Sequence, residues 1–306
     1  MYFMRYGILS IVFSEESRCP VGIKIIVDSS ADLPKDMVER YGFIIIPLSV
    51  HFGSHTYLDS VDLTPGMFYE KLIISGEMPS TSQIPPERFA TYFKKELDEG
   101  HQIICITLGS NASGTCQSAY LAREELKKED ITIIDSNCLS SGVAYIAIEV
   151  ARMVENNQSL DEILMAIEPL TNNGIEHLFC VDTLEFLKKG GRIKATKAAV
   201  AEILNIKPIL NVENALTQII HKVRGRKKII PYYIERMKKD LDYESNQIMV
   251  AHAQDLEFAN QLIDKIRGEL NWDKDIIVSE IGATIGTHAG PGVLACFYKK
   301  RSFASL

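Results

Sequence analysis

Three polar turns hold the residues whose types and spacing can do chemistry in this chain: Thr81-Ser82-Gln83, the run GSNASGT at 109–115, and the run GTHAGPG at 286–292. The hydroxyls of Thr81, Ser82 and Ser113, the backbone N–H of Gly114 and the imidazole of His288 are all donors to an oxyanion, and none of them needs a buried lysine. Ser113 stands where a helix begins, so the free N–H groups of that first turn can face a carboxylate or phosphate. The same serine also reads as an ordinary helix cap, and the turn alone leaves both readings open. His288 sits among Gly286, Gly290, Pro291 and Gly292 in what reads as a tight loop before an apolar strand, as a ligand contact or as a turn histidine bonded to backbone. A hydrolytic pair of Ser113 and His288 is the enzymatic alternative. Against it, the chain has no G-x-S-x-G elbow and no evident third group to orient the imidazole. A regulator that binds a sugar or phosphate on the same turns is a further alternative.

Two basic features accompany these turns. Arg192 follows Gly190 and Gly191 at an expected helix start and reads either as a fork for a carboxylate or, preferentially, as a tie between the two halves of the chain. The run HKVRGRKK at 221–228 is the one strong basic cluster, with Arg224, Arg226 and Lys227 as candidates for docking a partner; a plainly solvated face is the alternative.

The elements that must position these residues follow from the rest of the chain. Its 306 residues, 46% hydrophobic and 24% charged, suffice for two domains with a sizeable core. A net charge of -7 argues against bulk binding to nucleic acid or an anionic membrane, and no aromatic interleaving makes the basic run specific for nucleic acid. Six cysteines without a CxxC pair or a His-rich metal spacing are expected to be reduced and mostly buried, with no metal and no cofactor. Residues 1–22 make a poor signal peptide and read as an extension outside the fold, and no apolar run is long enough for a membrane span. A cytoplasmic protein without stable membrane insertion is expected.

Residues 23–172 alternate β-branched runs with single amphipathic segments, which predicts a Rossmann-like α/β domain with a parallel sheet. Strands are expected at 23–27, 43–49, 102–108 and 131–136, with helices at 34–41, 64–75, 85–99, 113–128 and 142–156. Residues 173–306 show a mixed order: strands at 175–181, 207–212, 215–222, 248–252, 275–281 and 293–299, and helices at 190–204, 230–241 and 256–269. That order predicts an α+β domain with a mixed or antiparallel sheet. In open α/β sheets ligands sit at the carboxyl ends of the strands, where Asp28, the 109–114 turn and Asp135 all fall.

The segments IKIIVDSSADLP, IIPLSVHF, YLDSVDLT, MPSTSQ, SNASGTCQSA, IIDS, LKKGGRI, LNIKPIL, KVRGRKK and GTHAGPG keep the order of the signature segments of the DegV family, which the chain resembles from Ile23 to about Lys300. It departs from the family at Gly109, often serine there, and at Ile84, which separates TSQ from the proline that usually follows. The resemblance implies a two-domain α/β fold that closes over one long-chain fatty acid. It implies a bacterial carrier, not itself an enzyme, that presents the bound acid to a separate fatty acid kinase subunit for acyl-phosphate formation. By motif, the carboxylate then meets Thr81, Ser113, the Gly114 N–H and His288, with Ser82 as a weaker candidate and Arg192 in support. Arg224 and its basic neighbours fall on the kinase-facing surface.

Overall fold

A computed structural model describes residues 22–194 and 205–301. In chain order the first half forms β1 (Ile23–Asp28), α1 (Lys35–Tyr41), β2 (Ile44–Ile46), β3 (Ser49–Phe52), β4 (His55–Leu58), α2 (Pro65–Ser75), β5 (Ser80–Ser82), α3 (Pro86–Asp98), β6 (Gln102–Thr107), α4 (Thr115–Leu126), β7 (Ile131–Asp135), α5 (Ser141–Glu155) and α6 (Leu160–Pro169). The second half forms β8 (Ile175–Cys180), α7 (Glu185–Lys189), β9 (Ile206–Glu213), β10 (Leu216–Arg224), α8 (Ile229–Asp240), β11 (Gln247–His252), α9 (Leu256–Leu270), β12 (Asp275–Glu280), α10 (Ala283–Ala289) and β13 (Leu294–Lys299).

The β-branched runs β2-β1-β6-β7 pair in that order, all parallel, as single-helix crossovers require. The second half builds a six-stranded sheet, β10-β9-β8-β13-β11-β12, antiparallel except for the β11–β12 pair. The architecture is therefore mixed α/β, a parallel sheet beside a mixed one. Helix α5 lies between them, touching β1 and β6 as well as β8, β11 and β13. Its residues from Ser141 to Ile148 are all buried, so small and apolar side chains are needed on every face.

Local chemistry sets several boundaries. Thr64 accepts the Met67 N–H and Pro65 occupies the first turn of α2. The strand expected at 43–49 divides because Pro47 has no N–H to give a ladder; β2 ends before it, and β3 starts a separate three-stranded sheet, β4-β3-β5. Ile84 is fully buried with Leu48, Phe89 and Phe93. The inserted residue thus serves the core beside the parallel sheet.

Other expectations are corrected. The helix expected at 190–204 does not include Gly190 to Ile193: α7 ends at Lys189, Gly190 caps it, and Gly191 turns the chain at φ +67°. Residues 195–204 of that expected helix, with 1–21, lie outside the described residues. Helix α4 starts at Thr115 rather than at Ser113, with Gly114 as its cap. The turn at 286–292 is largely helical, its first four residues closing α10. Helix α6, opened by a Ser159–Glu162 capping box, and strand β4 were not expected. Cys105, Cys116, Cys138, Cys180 and Cys296 are free and buried, as the composition implied.

Candidate ligand site

A cavity of about 340 Å³ opens between the face of the six-stranded sheet and the carboxyl edge of the parallel sheet. Alternate residues of the strands wall it, Phe179 with His177 on β8 and Ala295 with Phe297 on β13, because successive side chains of a strand face opposite sides. Leu108, Leu139, Leu187, Val212, Ile281 and Ile285 extend the apolar lining. Thr81, Ser82, Ser113, Gly114, Arg192 and His288 all line the same cavity. The three polar turns therefore converge, although 207 positions separate Thr81 from His288.

The convergence is built by specific contacts. Thr81 and Ser82 lie in strand β5 rather than in a turn, and the Gln83 amide donates to Ser118 Oγ at 2.9 Å, which binds this segment to α4. Gly114 makes that approach possible, since a Cβ there would stand 2.0 Å from Gln83 Oε1. Ser113 Oγ lies 2.9 Å from Thr115 Oγ1 and accepts the Thr115 N–H at 3.3 Å, so it braces the turn instead of capping the helix. Gly109, the departure from the family pattern, packs where a Cβ would stand 2.1 Å from the Ala215 Cβ. Ser82 Oγ is engaged by His51 Nε2 at 3.0 Å.

His288 stands in the last turn of α10, not in a loop, with Nε2 2.8 Å from Thr81 Oγ1. Its Nδ1 is buried without a hydrogen-bond partner and stacks on Gly190, where a Cβ would lie 2.2 Å away. Burial, aided by the nearby Arg192 charge, pushes the imidazole down to about 4, so the ring is neutral at physiological pH. Arg192 donates from Nε to the Ala112 carbonyl at 3.1 Å and from Nη1 to the Gly190 carbonyl at 2.6 Å. Its bond to the Ala112 carbonyl ties the two halves of the chain.

Helix α10 is held by carboxylates of the first half. Asp59 accepts the N–H groups of Ala283 and Thr284 at 3.2 and 3.3 Å and the Thr284 hydroxyl at 2.6 Å. It also accepts the hydroxyls of Ser29 at 2.9 Å and Ser60 at 3.4 Å. Asp32 accepts the Gly282 N–H at 2.8 Å and the Ser140 hydroxyl at 2.5 Å. Asp28, at the end of β1, accepts the Leu108 N–H at 2.7 Å and so shapes the start of the 109–114 turn. Burial raises all three carboxyls, Asp28 to about 6. Sequence reasoning placed Asp28 on the sheet edge but missed Asp32 and Asp59. The recurring Asp in DSSAD and YLDS was the available signal. It also missed His177, which donates from Nδ1 to the Ile175 carbonyl and accepts the Leu139 N–H on Nε2.

Of the basic run, Arg224, Arg226 and Lys227 are all exposed, and Arg226 also pairs with Asp255 and covers the Phe258 ring at 4.1 Å. Ser113 is bonded to Thr115 and His288 to Thr81, so these two residues are not paired with each other.

Fold and site together define a two-sheet α/β protein with a ligand-sized, mostly apolar cavity that also carries a polar cluster in its lining, within the roughly 300–1,000 Å³ typical of small-molecule pockets. The chain belongs to the DegV family: the family model described as "Uncharacterised protein, DegV family" matches residues 22–301. A DegV domain-containing protein of Caldanaerobacter subterraneus is 35% identical over 280 residues, 91% of this chain and 99% of the relative. Among solved structures, a fatty-acid-binding DegV family protein of Thermus thermophilus superposes with a TM-score of 0.84 at 29% identity, over 92% of this chain and 100% of its own. The fatty acid binding protein DegV of Bacillus subtilis gives a TM-score of 0.80 at 29% identity, over 92% and 99% of the two chains. No described helix is long and apolar enough to cross a membrane.

Proposed function

We propose that this chain binds a long-chain fatty acid in the cavity, with 23–172 and 173–306 as the two domains that close on it. The acyl tail lies along the apolar wall. The carboxylate is met by Thr81, Ser113 and the Gly114 N–H, with His288 orienting the Thr81 hydroxyl, Ser82 at the margin and Arg192 holding the turns. The observation that carries this reading is the convergence of three distant polar segments in the lining of one mostly apolar cavity. The fatty-acid binding of the Thermus thermophilus and Bacillus subtilis relatives supports it. Physically, roughly 0.8 kcal/mol per buried CH₂ makes the tail the main source of affinity, while the hydrogen bonds select the head group. A phosphate or sugar ligand leaves that apolar wall without a partner.

The protein then acts as a cytoplasmic carrier without turnover of its own, presenting the carboxylate to a separate ATP-dependent fatty acid kinase. The exposed Arg224 and Lys227 form the docking surface, and Arg226, locked on Asp255 and Phe258, shapes it. The test is mass spectrometry of the purified chain under native and denaturing conditions, with fluorescent fatty-acid displacement. One bound species of fatty-acid mass is expected; the absence of both co-purified acid and saturable displacement overturns the reading. For docking, Arg224→Glu with Lys227→Glu is expected to preserve lipid binding and to slow acyl-phosphate formation with the cognate kinase, most at low salt. Unchanged kinetics remove the docking role, and acyl phosphate made by this chain and ATP alone overturns the carrier.

A further inference from the structure

The C-terminal turn of α3 carries a group of side chains that the ligand site does not use. Gly100 turns the chain at φ +85°, and the His101 N–H donates to the Glu96 carbonyl at 3.1 Å, which folds His101 back over the helix end. Its Nδ1 comes to 3.5 Å from Glu96 Oε2 and 3.8 Å from Glu99 Oε2. One ligand atom from each of the three residues lies within 4.8 Å of the others.

We propose that Glu96, Glu99 and His101 bind a divalent transition-metal cation, with Zn²⁺ the best match. One observation beyond the grouping points to a ligand. The buried His101 Nδ1 has no hydrogen-bond partner. The Glu96 side chain is only 5% exposed, yet among the described residues it takes no hydrogen bond; its ionic neighbours, Lys95 Nζ and His101 Nδ1, both stand at 3.5 Å. The 3.5 and 3.8 Å separations from His101 Nδ1 lie near the roughly 3.4 Å between ligands of a tetrahedral ion at about 2.0–2.1 Å. One imidazole nitrogen with two carboxylate oxygens favours Zn²⁺ over Mg²⁺ or Ca²⁺, which take oxygen sets. The negative end of the α3 dipole adds to the attraction. The cation completes its shell with water and pins the helix end to the start of β6, a structural role remote from the fatty-acid site.

The test is titration of the chelator-treated full chain with Zn²⁺ by calorimetry, with Co²⁺ absorption as the report of tetrahedral geometry. One site per chain is expected, with a higher thermal midpoint on loading. His101→Ala and Glu99→Gln, the second at an exposed side chain, are each expected to weaken this site by about tenfold or more while leaving fatty-acid displacement unchanged. Zn²⁺ affinity equal in wild type and both variants locates the metal elsewhere, for instance on thiols, and overturns the proposal. The absence of saturable Zn²⁺ binding overturns it as well and leaves the three residues as an ion-paired group.

Discussion

At the residue scale, the pair Thr81 and His288 shows how a neutral site can hold an anion. An imidazole N–H buried without an acceptor costs more than a bare lone pair, so the unpartnered Nδ1 is assigned as the unprotonated nitrogen. Nε2–H then donates to Thr81 Oγ1, which leaves the threonine hydroxyl proton free to point at a carboxylate. His288 therefore works largely through Thr81, where sequence reasoning treated the two as parallel contacts. A charge-assisted hydrogen bond contributes about 1.5–3 kcal/mol, so Thr81→Ala and Ser113→Ala are each expected to weaken fatty-acid binding by roughly tenfold to a hundredfold. His288→Ala should approach Thr81→Ala, His288→Gln should be milder because it keeps a donor, and the Thr81/His288 double variant should fall short of additivity. Fluorescence displacement measures all of these, and wild-type affinity in either hydroxyl variant removes that residue from the head-group site.

At the scale of elements, α10 depends on a carboxylate from the other end of the chain. A seven-residue helix is too short to be stable by propensity, and its first N–H groups are satisfied by Asp59, with Asp32 taking the preceding one. Because His288 closes that helix, the clamp also positions the head-group contact. Asp59→Ala leaves buried donors without partners and is expected to cost about 2–4 kcal/mol in urea unfolding and to weaken fatty-acid binding as well. Asp59→Asn keeps one acceptor oxygen and should lie between. Equal stability of the alanine variant and wild type would show that water or Ser29 replaces the clamp.

For the whole molecule, buried acids and bases set opposing pH dependences. Burial pushes His177 down to about 4, and such a histidine contributes stability that is complete above its unfolded value near 6.5 and lost as pH falls toward 4. Burial raises Asp28 to about 6, so its contribution is present below about 3.8 and lost as pH rises through 6. His288 follows His177 in sign, and Asp32 and Asp59 follow Asp28. Between pH 6.5 and 4 the two sets offset each other, and wild-type stability should change less than either set alone implies. Replacing His177 by Gln removes up to about 3 kcal/mol of acid destabilisation, so that variant should gain stability relative to wild type as pH falls across this window. Asp28→Asn should lose it. Chemical denaturation at several pH values reads both slopes, and parallel curves for wild type and the two variants would sink the assignment.

Much of this was legible in the chain itself. Residues such as Ile23–Asp28, Gln102–Thr107 and Gln247–His252 declare strands through β-branched runs, and Thr64 with Pro65 declares a helix start, because those preferences act within a few residues. The family was legible too, since ten short segments keep their order. The meeting of Thr81 with His288, and of Ser113 with Arg192 through Ala112, was decided by the tertiary structure. So was the helical state of 283–289, which looks like a glycine-rich loop until Asp59, 224 positions from Ala283, supplies its missing acceptor. The break at Pro47 was visible in the letters, but the separate sheet it opens was not. Local pattern records which backbone a residue prefers; long-range hydrogen bonds and the shape of the space between two sheets exist only once the chain has closed on itself.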